Sequence, residues 1–316
     1  MKTAKVVFFI LRNDSLRCGI IKKINQEANM DFEKLNQLKQ EMDSYRPLTK
    51  EQLDGINKHK KIEHVWSSTA LEGGTLSKYE TASILETGMT VHGVPVKDIL
   101  ETLDLGKAYD HMEELAVGEA ALTADDIQDL NRLATVKTVD KIEYAGIYRL
   151  APAYPRGVPG VSYTDYHLIH QAMDNLIWWN DEIGKTLHSV QQAAELHQRF
   201  VTIHPFPDGN GRVARLLMNT ILTRNGYPIV NIQPDPESRV EYMETLAESQ
   251  RTGDIEPFIQ LVSEYVEKEL EERIQVLQTN ESNIQKSLKR LGIPDFDKGN
   301  SVTENDIEDE LDGPGM

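Results

Sequence analysis

The chain has 316 residues, 39% hydrophobic and 27% charged, enough for a sizeable core in one large domain or two modest ones. Its formal net charge of −17 repels a phosphate backbone, which excludes sequence-independent nucleic-acid binding as a main function, although a local arginine cluster can still seat one nucleotide. A single cysteine, Cys18, excludes an intrachain disulfide and a four-cysteine zinc site and suits a reducing compartment.

Residues 1–30 form a lead with no assignable role. The apolar run Val6–Leu11 is six residues long and is followed by Arg12, Asn13 and Asp14. A signal peptide needs an apolar region of about 7–15 residues and a membrane span about 20, so the run is expected to be a buried strand or an ill-ordered lead, the chain cytoplasmic, and a membrane no partner. Apolar residues at three- and four-residue spacing then predict helices over Asp31–Ser44, Thr49–Ser67, Ser77–Gly88, Val96–Leu115 and Thr123–Ala134. The same pattern returns over Tyr166–Glu182, Ser189–Ile203, Arg212–Asn225, Val240–Arg251 and Ile255–Gln278. Thr49 with Glu51, Thr123 with Asp125 and Asp126, and Thr164 with Asp165 supply start signals. Stops stand at Gly73-Gly74, at Gly226-Tyr227-Pro228 and at Gly253. Tyr148–Tyr163, with three prolines and two glycines, reads as a β-hairpin or an irregular flap. Phe296–Met316 is acidic and poor in large apolar groups, the composition of a disordered tail. The expected architecture is therefore all-α with a small hairpin flap, divided into a helical region 31–115, a core 116–262, a C-terminal helical region 263–295 and the tail 296–316.

Chemistry concentrates in Ile203–Asn219. Pro205 and Pro207 stiffen a loop in which Asp208, Gly209, Asn210 and Gly211 can turn successive N–H groups toward one point, and a helix starts at about Gly211–Arg212. The free N–H groups and positive dipole end of such a helix make an anion site. Arg212 and Arg215, three apart, share nearly one face and suit a polyphosphate better than a lone carboxylate. Asp208 beside phosphates is repulsive unless a cation lies between, which makes it the natural Mg²⁺ ligand. His204, with an ordinary pKa near 6.5, can accept a proton from an attacking hydroxyl. Taken singly, a histidine before proline is commonly a cap or core residue, Asp-Gly-Asn-Gly a turn, and two arginines a solvated face. Together, within twelve residues, they specify phosphoryl or nucleotidyl transfer. His197 and His204 are seven apart, the wrong spacing for a zinc protease pair, and the P-loop and kinase motifs are absent.

His204–Arg215, HPFPDGNGRVAR, resembles the signature of Fic-domain proteins, His-x-Phe-x-(Asp or Glu)-Gly-Asn-Gly-Arg-x-x-Arg, at every fixed position. Ala145-Gly146-Ile147-Tyr148-Arg149 resembles the segment before the family's flap, and Ser238-Arg239-x-x-Tyr242 with Gly253-Asp254 its C-terminal helices. The resemblance covers roughly Leu71–Val262. It implies a helical core and transfer of AMP from ATP to Ser, Thr or Tyr of a protein target, the chain itself included. His204 would deprotonate the hydroxyl, and Asp208 would hold Mg²⁺ between the α- and β-phosphates. Gly209, Asn210 and Gly211 would cradle the phosphates, and Arg212 and Arg215 would hold the β- and γ-phosphates. Phe206 would anchor the loop. The flap, with Arg156, Gly157, Val158 and Ser162, would clamp the target as an added strand, and Tyr242 and Gln250 would line the adenine side. Gly211 stands where kinase-type members carry Lys.

Ser68-Thr69-Ala70-Leu71-Glu72-Gly73 resembles the family's inhibitory motif, (Ser or Thr)-x-x-x-Glu-(Gly or Asn). Physically, Glu72 is an acid at a helix end, where the macrodipole disfavours it and a cationic partner is expected. The resemblance implies Arg215, whose pairing with Glu72 would withdraw it from the γ-phosphate. Because the motif precedes the core, the inhibition would act in cis, and a homodimer could stabilise the inhibited form. Rival readings are removal of AMP or transfer of another phosphate-containing group on the same fold, and a nucleotide-binding regulatory module without catalysis. A DNA-binding regulator finds no recognition helix.

Overall fold

The computed structural model describes residues 32–90, 93–155 and 160–292. The chain divides into two compact units, 1–34 and 35–316, and the second holds the core and the loop that carries the motif. The lead and the acidic tail expected at 296–316 lie outside the described residues, as do Arg156, Gly157 and Val158 of the flap.

Ten α-helices occur among the described residues: α1 Glu33–Asp43, α2 Lys50–Leu71, α3 Lys78–Thr87, α4 Val96–Val117, α5 Ala124–Thr135, α6 Ile169–Glu182, α7 Ser189–Ile203, α8 Asn210–Arg224, α9 Pro236–Thr252 and α10 Glu256–Leu291. Their starts are chemically specified. Thr49, Ser77 and Thr123 each accept from the N–H three residues on, while Gln52, Glu80 and Asp126 reach back to the cap's own N–H. Asp235 accepts from Ser238 N, and Pro236 follows it at the first helical position, so α9 starts before the expected Val240.

α8 is the axis of the fold. It packs against α7, α4, α5 and α2, and every residue from Arg212 to Leu222 is buried. Val213, Ala214, Leu216, Leu217 and Met218 are fully excluded from water, and each large aliphatic side chain among them contributes about 1.5–3 kcal/mol. Such burial on all sides comes from being surrounded, since the helix carries apolar residues round most of its circumference. Phe200 of α7, Tyr109 of α4 and Leu130 of α5 close the core around it.

Two helices outrun their sequence signals. Ser67, Ser68 and Thr69 are poor helix formers, yet α2 continues through them to Leu71 because all three and Leu71 are buried. Thr69 Oγ1 donates back to the Val65 carbonyl at 2.7 Å. α10 runs beyond Gln278 to Leu291, held by buried Leu277 and Glu281 and by Gln278 donating to Tyr45 Oη at 3.0 Å. No strand occurs among the described residues. The flap is irregular on both described sides, and on the first of them Pro152 and Pro155 have no N–H to offer a hairpin ladder. Nor is any described helix long and apolar enough to cross a membrane.

Candidate active site

The loop between α7 and α8 carries the sequence motif, and its backbone is tied down at nearly every step. His204 caps α7 in the left-handed region, φ 52 and ψ 58, and is the single non-glycine with positive φ among the described residues. Such a conformation is disfavoured and persists only when its surroundings impose it. Arg149 imposes it: Nε donates to the His204 carbonyl at 2.7 Å, Nη1 to Ala151 O at 2.8 Å, and Nη2 to Thr164 O. The Arg149 backbone N–H adds a bond to Pro205 O at 2.8 Å. Phe206 is fully buried. Asn210 closes the turn, its amide donating to Phe206 O at 2.8 Å and accepting from Phe206 N at 3.0 Å. Asn131 of α5 donates to Asp208 O at 2.8 Å. Gly209 takes φ 79, and a Cβ there would stand 2.8 Å from Thr135 Cγ2, so both dihedral and space demand glycine.

With Gly209 as N-cap, no side chain caps α8, and its first-turn N–H groups are left to an anion. One of the chain's own carboxylates lies against Gly211 in that turn. A Cβ built on Gly211 would land on Glu72 Oε1, with Arg215 Nη1 3.2 Å away. Glu72 is the C-cap of α2, followed by Gly73 at φ 99. Its Oε1 accepts from Arg215 Nη2 at 2.8 Å. Ser68 Oγ accepts from Arg215 Nε at 2.7 Å, and Ser68 O from Nη2 at 3.0 Å. Arg215 is 3% exposed and Glu72 39%. Burial opposes the charge on Arg215, and the pairing with Glu72 more than offsets it, raising the guanidinium further.

The remaining expected residues fall into two groups. Asp208 stands 64% exposed at the mouth, its Oδ1 accepting from Gly209 N at 2.7 Å and Oδ2 from Arg212 Nη2 at 3.1 Å. No cluster of three or more His, Cys, Asp or Glu occurs among the described residues, so a metal here would rest on this one carboxylate. That fits magnesium, which keeps its waters and takes phosphate oxygens. Arg212 is turned inward: Nη1 donates to Ala134 O at 3.1 Å, and the side chain is 3% exposed. Tyr242 is 2% exposed and lies beneath Arg215 instead of along an open wall. Its hydroxyl takes Arg215 Nη1 at 3.5 Å and His197 Nε2 at 2.9 Å. Gln250 donates to Thr202 Oγ1 at 3.2 Å, beside the flap, and Ser162 is exposed.

The His204 imidazole is depressed to about 4, burial being the largest cause and the Arg149 guanidinium the next; the Val201 backbone, Glu72 and Asp208 pull the other way. It is therefore neutral at physiological pH, the state of a proton acceptor. Its ring stacks on Tyr163, centroids 3.8 Å apart and planes 6° from parallel. Arg149, Asn131 and Tyr163 have no site role in the sequence reading. Arg149 stands in the segment before the flap, but the His204 carbonyl it holds is 55 residues away.

Comparison with known proteins now decides the family. Residues 121–222 match the Fic/DOC family model, from before α5 to near the end of α8. The chain belongs to the Fic/DOC family. The protein adenylyltransferase Fic of Drosophila melanogaster is 34% identical over 253 residues, 77% of this chain and 50% of that one. The Drosophila persimilis protein of the same name is 37% identical over 210 residues, 66% of this chain and 40% of that one. The chain thus spans about half the length or less of these curated relatives. Among solved structures, a Fic-domain signalling protein from Bacteroides thetaiotaomicron aligns with TM-score 0.71 and 29% identity, covering 78% of this chain and 98% of that one. Residues 134–508 of Fic-1 from C. elegans align with TM-score 0.71 and 26% identity, covering 88% and 79%.

Proposed function

We propose that this Fic protein is a protein adenylyltransferase that moves AMP from ATP to a Ser, Thr or Tyr hydroxyl of a protein target, and that Glu72 holds it off in cis. Neutral His204 takes the proton of the target hydroxyl as that oxygen attacks the α-phosphorus, and pyrophosphate leaves. First-turn N–H groups of α8, with Gly211 bare of a side chain, receive the phosphate oxygens once Glu72 withdraws. Arg215, released from Glu72, holds the terminal phosphate, while Arg212 steadies the loop and Asp208. Asp208 would hold Mg²⁺, which when bound would neutralise phosphate charge. The helical region 31–115 supplies the switch, and 116–262 the catalytic core. A reducing cytoplasm is the compartment that one cysteine suits.

The observation that carries this reading is the position of Glu72, whose carboxylate lies on Gly211 and Arg215 at once. An incoming triphosphate and this carboxylate compete for the same space over Gly211 and the same guanidinium. Incubation with ATP labelled at the α-phosphate tests it. Glu72→Gly is expected to label proteins in a lysate, or itself, far more strongly than the parent chain, and Glu72→Gly with His204→Ala not at all. Absence of label with Glu72→Gly, together with loss of AMP from a pre-modified substrate, would overturn the transferase reading in favour of the reverse reaction.

A further inference from the structure

We infer that Tyr163 is a positioning residue for the general base: its ring lies flat on the His204 imidazole, fixes that ring's plane and keeps water off one face. The inference rests on the transferase reading for its kinetic test, but its physical basis is independent. Aromatic rings left to themselves prefer offset or edge-to-face contacts, so near-parallel planes at 3.8 Å indicate an arrangement set by the backbone. The backbone beside Tyr163 is held from two sides. Thr164 N donates to Thr202 O of α7 at 3.2 Å, and Thr164 O accepts from Arg149 Nη2. Arg149 also holds the His204 carbonyl, so one side chain fixes both stacked residues.

The charged groups that act on His204 come from separate elements. Arg149 belongs to the flap segment, Glu72 to the end of α2, and Asp208 to the loop; α7 contributes the Val201 backbone. Burial outweighs each of them in keeping the ring neutral. A protonated imidazole over Tyr163 would gain a cation–π attraction, which works in the opposite direction. Such an attraction changes a protonation equilibrium by less than about tenfold at a part-exposed site, whereas burial takes His204 from 6.5 to about 4. Coverage therefore wins over attraction, and Tyr163 contributes by excluding water. Its own hydroxyl is raised, by burial first and by the Glu72 carboxylate next.

The test uses the Glu72→Gly chain, with AMP transfer measured from pH 5 to 8.5. Tyr163→Phe, which keeps the ring, is expected to retain the rate within about twofold and the same acid limb. Tyr163→Ala exposes the imidazole, so its pKa returns toward the ordinary 6.5 and the rate at pH 6 falls to about a quarter of its plateau, with KM for ATP unchanged. An alanine variant whose profile matches the parent, or a phenylalanine variant as impaired as alanine, would overturn the inference. Should Tyr163→Ala fail to fold, Tyr163→Ser carries the same expectation. An inactive Glu72→Gly parent would sink the transferase reading alone. The His204 titration followed by NMR in wild type and Tyr163→Ala then decides the stacking inference by itself, an unchanged midpoint overturning it.

Discussion

Two regions meet at the start of α8 and are built on opposite principles. The α7–α8 loop is held through its backbone: Arg149, Asn131, Asn210 and Arg212 all direct hydrogen bonds to carbonyls of the loop or of the helix beside it. Their partners cannot leave without unfolding the turn. The end of α2 is held by a single arginine side chain, Arg215, which bonds the Ser68 hydroxyl and carbonyl and the Glu72 carboxylate, and Glu72 remains 39% exposed. A carboxylate with that much access to water gives up little when another anion displaces it. The loop is therefore a fixed frame, and the α2 end a replaceable occupant of it.

The comparison predicts different outcomes for damage to each region. The largest effect belongs to the frame's reactive group: in the Glu72→Gly background, His204→Ala should lower AMP transfer by about 10²–10⁴-fold in steady-state assays. Next comes the occupant. A hydrogen bond to a charged group is worth about 1.5–3 kcal/mol, so Glu72→Gly should raise labelling by about ten- to a hundredfold over the parent. Asn210→Ala strikes the frame's own hydrogen bonds. It leaves both polar groups of Phe206 unpaired and buried, at about 1–3 kcal/mol each, which calorimetry should register as a melting temperature several degrees lower.

Acid sharpens the same contrast. Burial depresses His64 to about 4 and His197 to about 3, so both stay neutral in the folded chain while the unfolded chain protonates near 6.5. Their stabilisation is complete above about pH 6.5 and is lost as pH falls toward 4, by about 1.4 kcal/mol per pH unit for each. Melting temperature should thus fall between pH 7 and 5, while the acid limb of catalysis, governed by His204 at about 4, lies lower still. The smallest effect is Ser68→Ala. Losing one neutral acceptor from Arg215 while Glu72 stays should raise basal labelling by about two- to tenfold, measured beside Glu72→Gly.

How far the sequence reveals these regions depends on where their partners lie. The loop is legible because the residues read as base, nest, metal ligand and arginine pair fall within twelve consecutive residues. Glu72 is legible as an acid in an unfavourable place at a helix end. The hidden contacts have distant partners: Arg149 with His204, Asn131 with Asp208, Tyr163 with His204. Tyr242 carries a polar tip on an aromatic ring, and composition alone does not say whether that tip faces a ligand or a buried arginine. Helix ends depart from their sequence signals where packing overrides propensity, at Ser67–Leu71 and beyond Gln278.

The bare Cα of Gly211 carries a consequence for how such a chain can change. The missing methyl gives Glu72 its resting place and, on the proposed function, gives phosphates access to the helix. Any side chain at 211 would reshape the nucleotide's bed and evict the inhibitor in one step. Substrate choice and silence are thus written at one position and cannot drift apart: a lineage that alters the group it transfers by filling this spot must find another way to stay quiet.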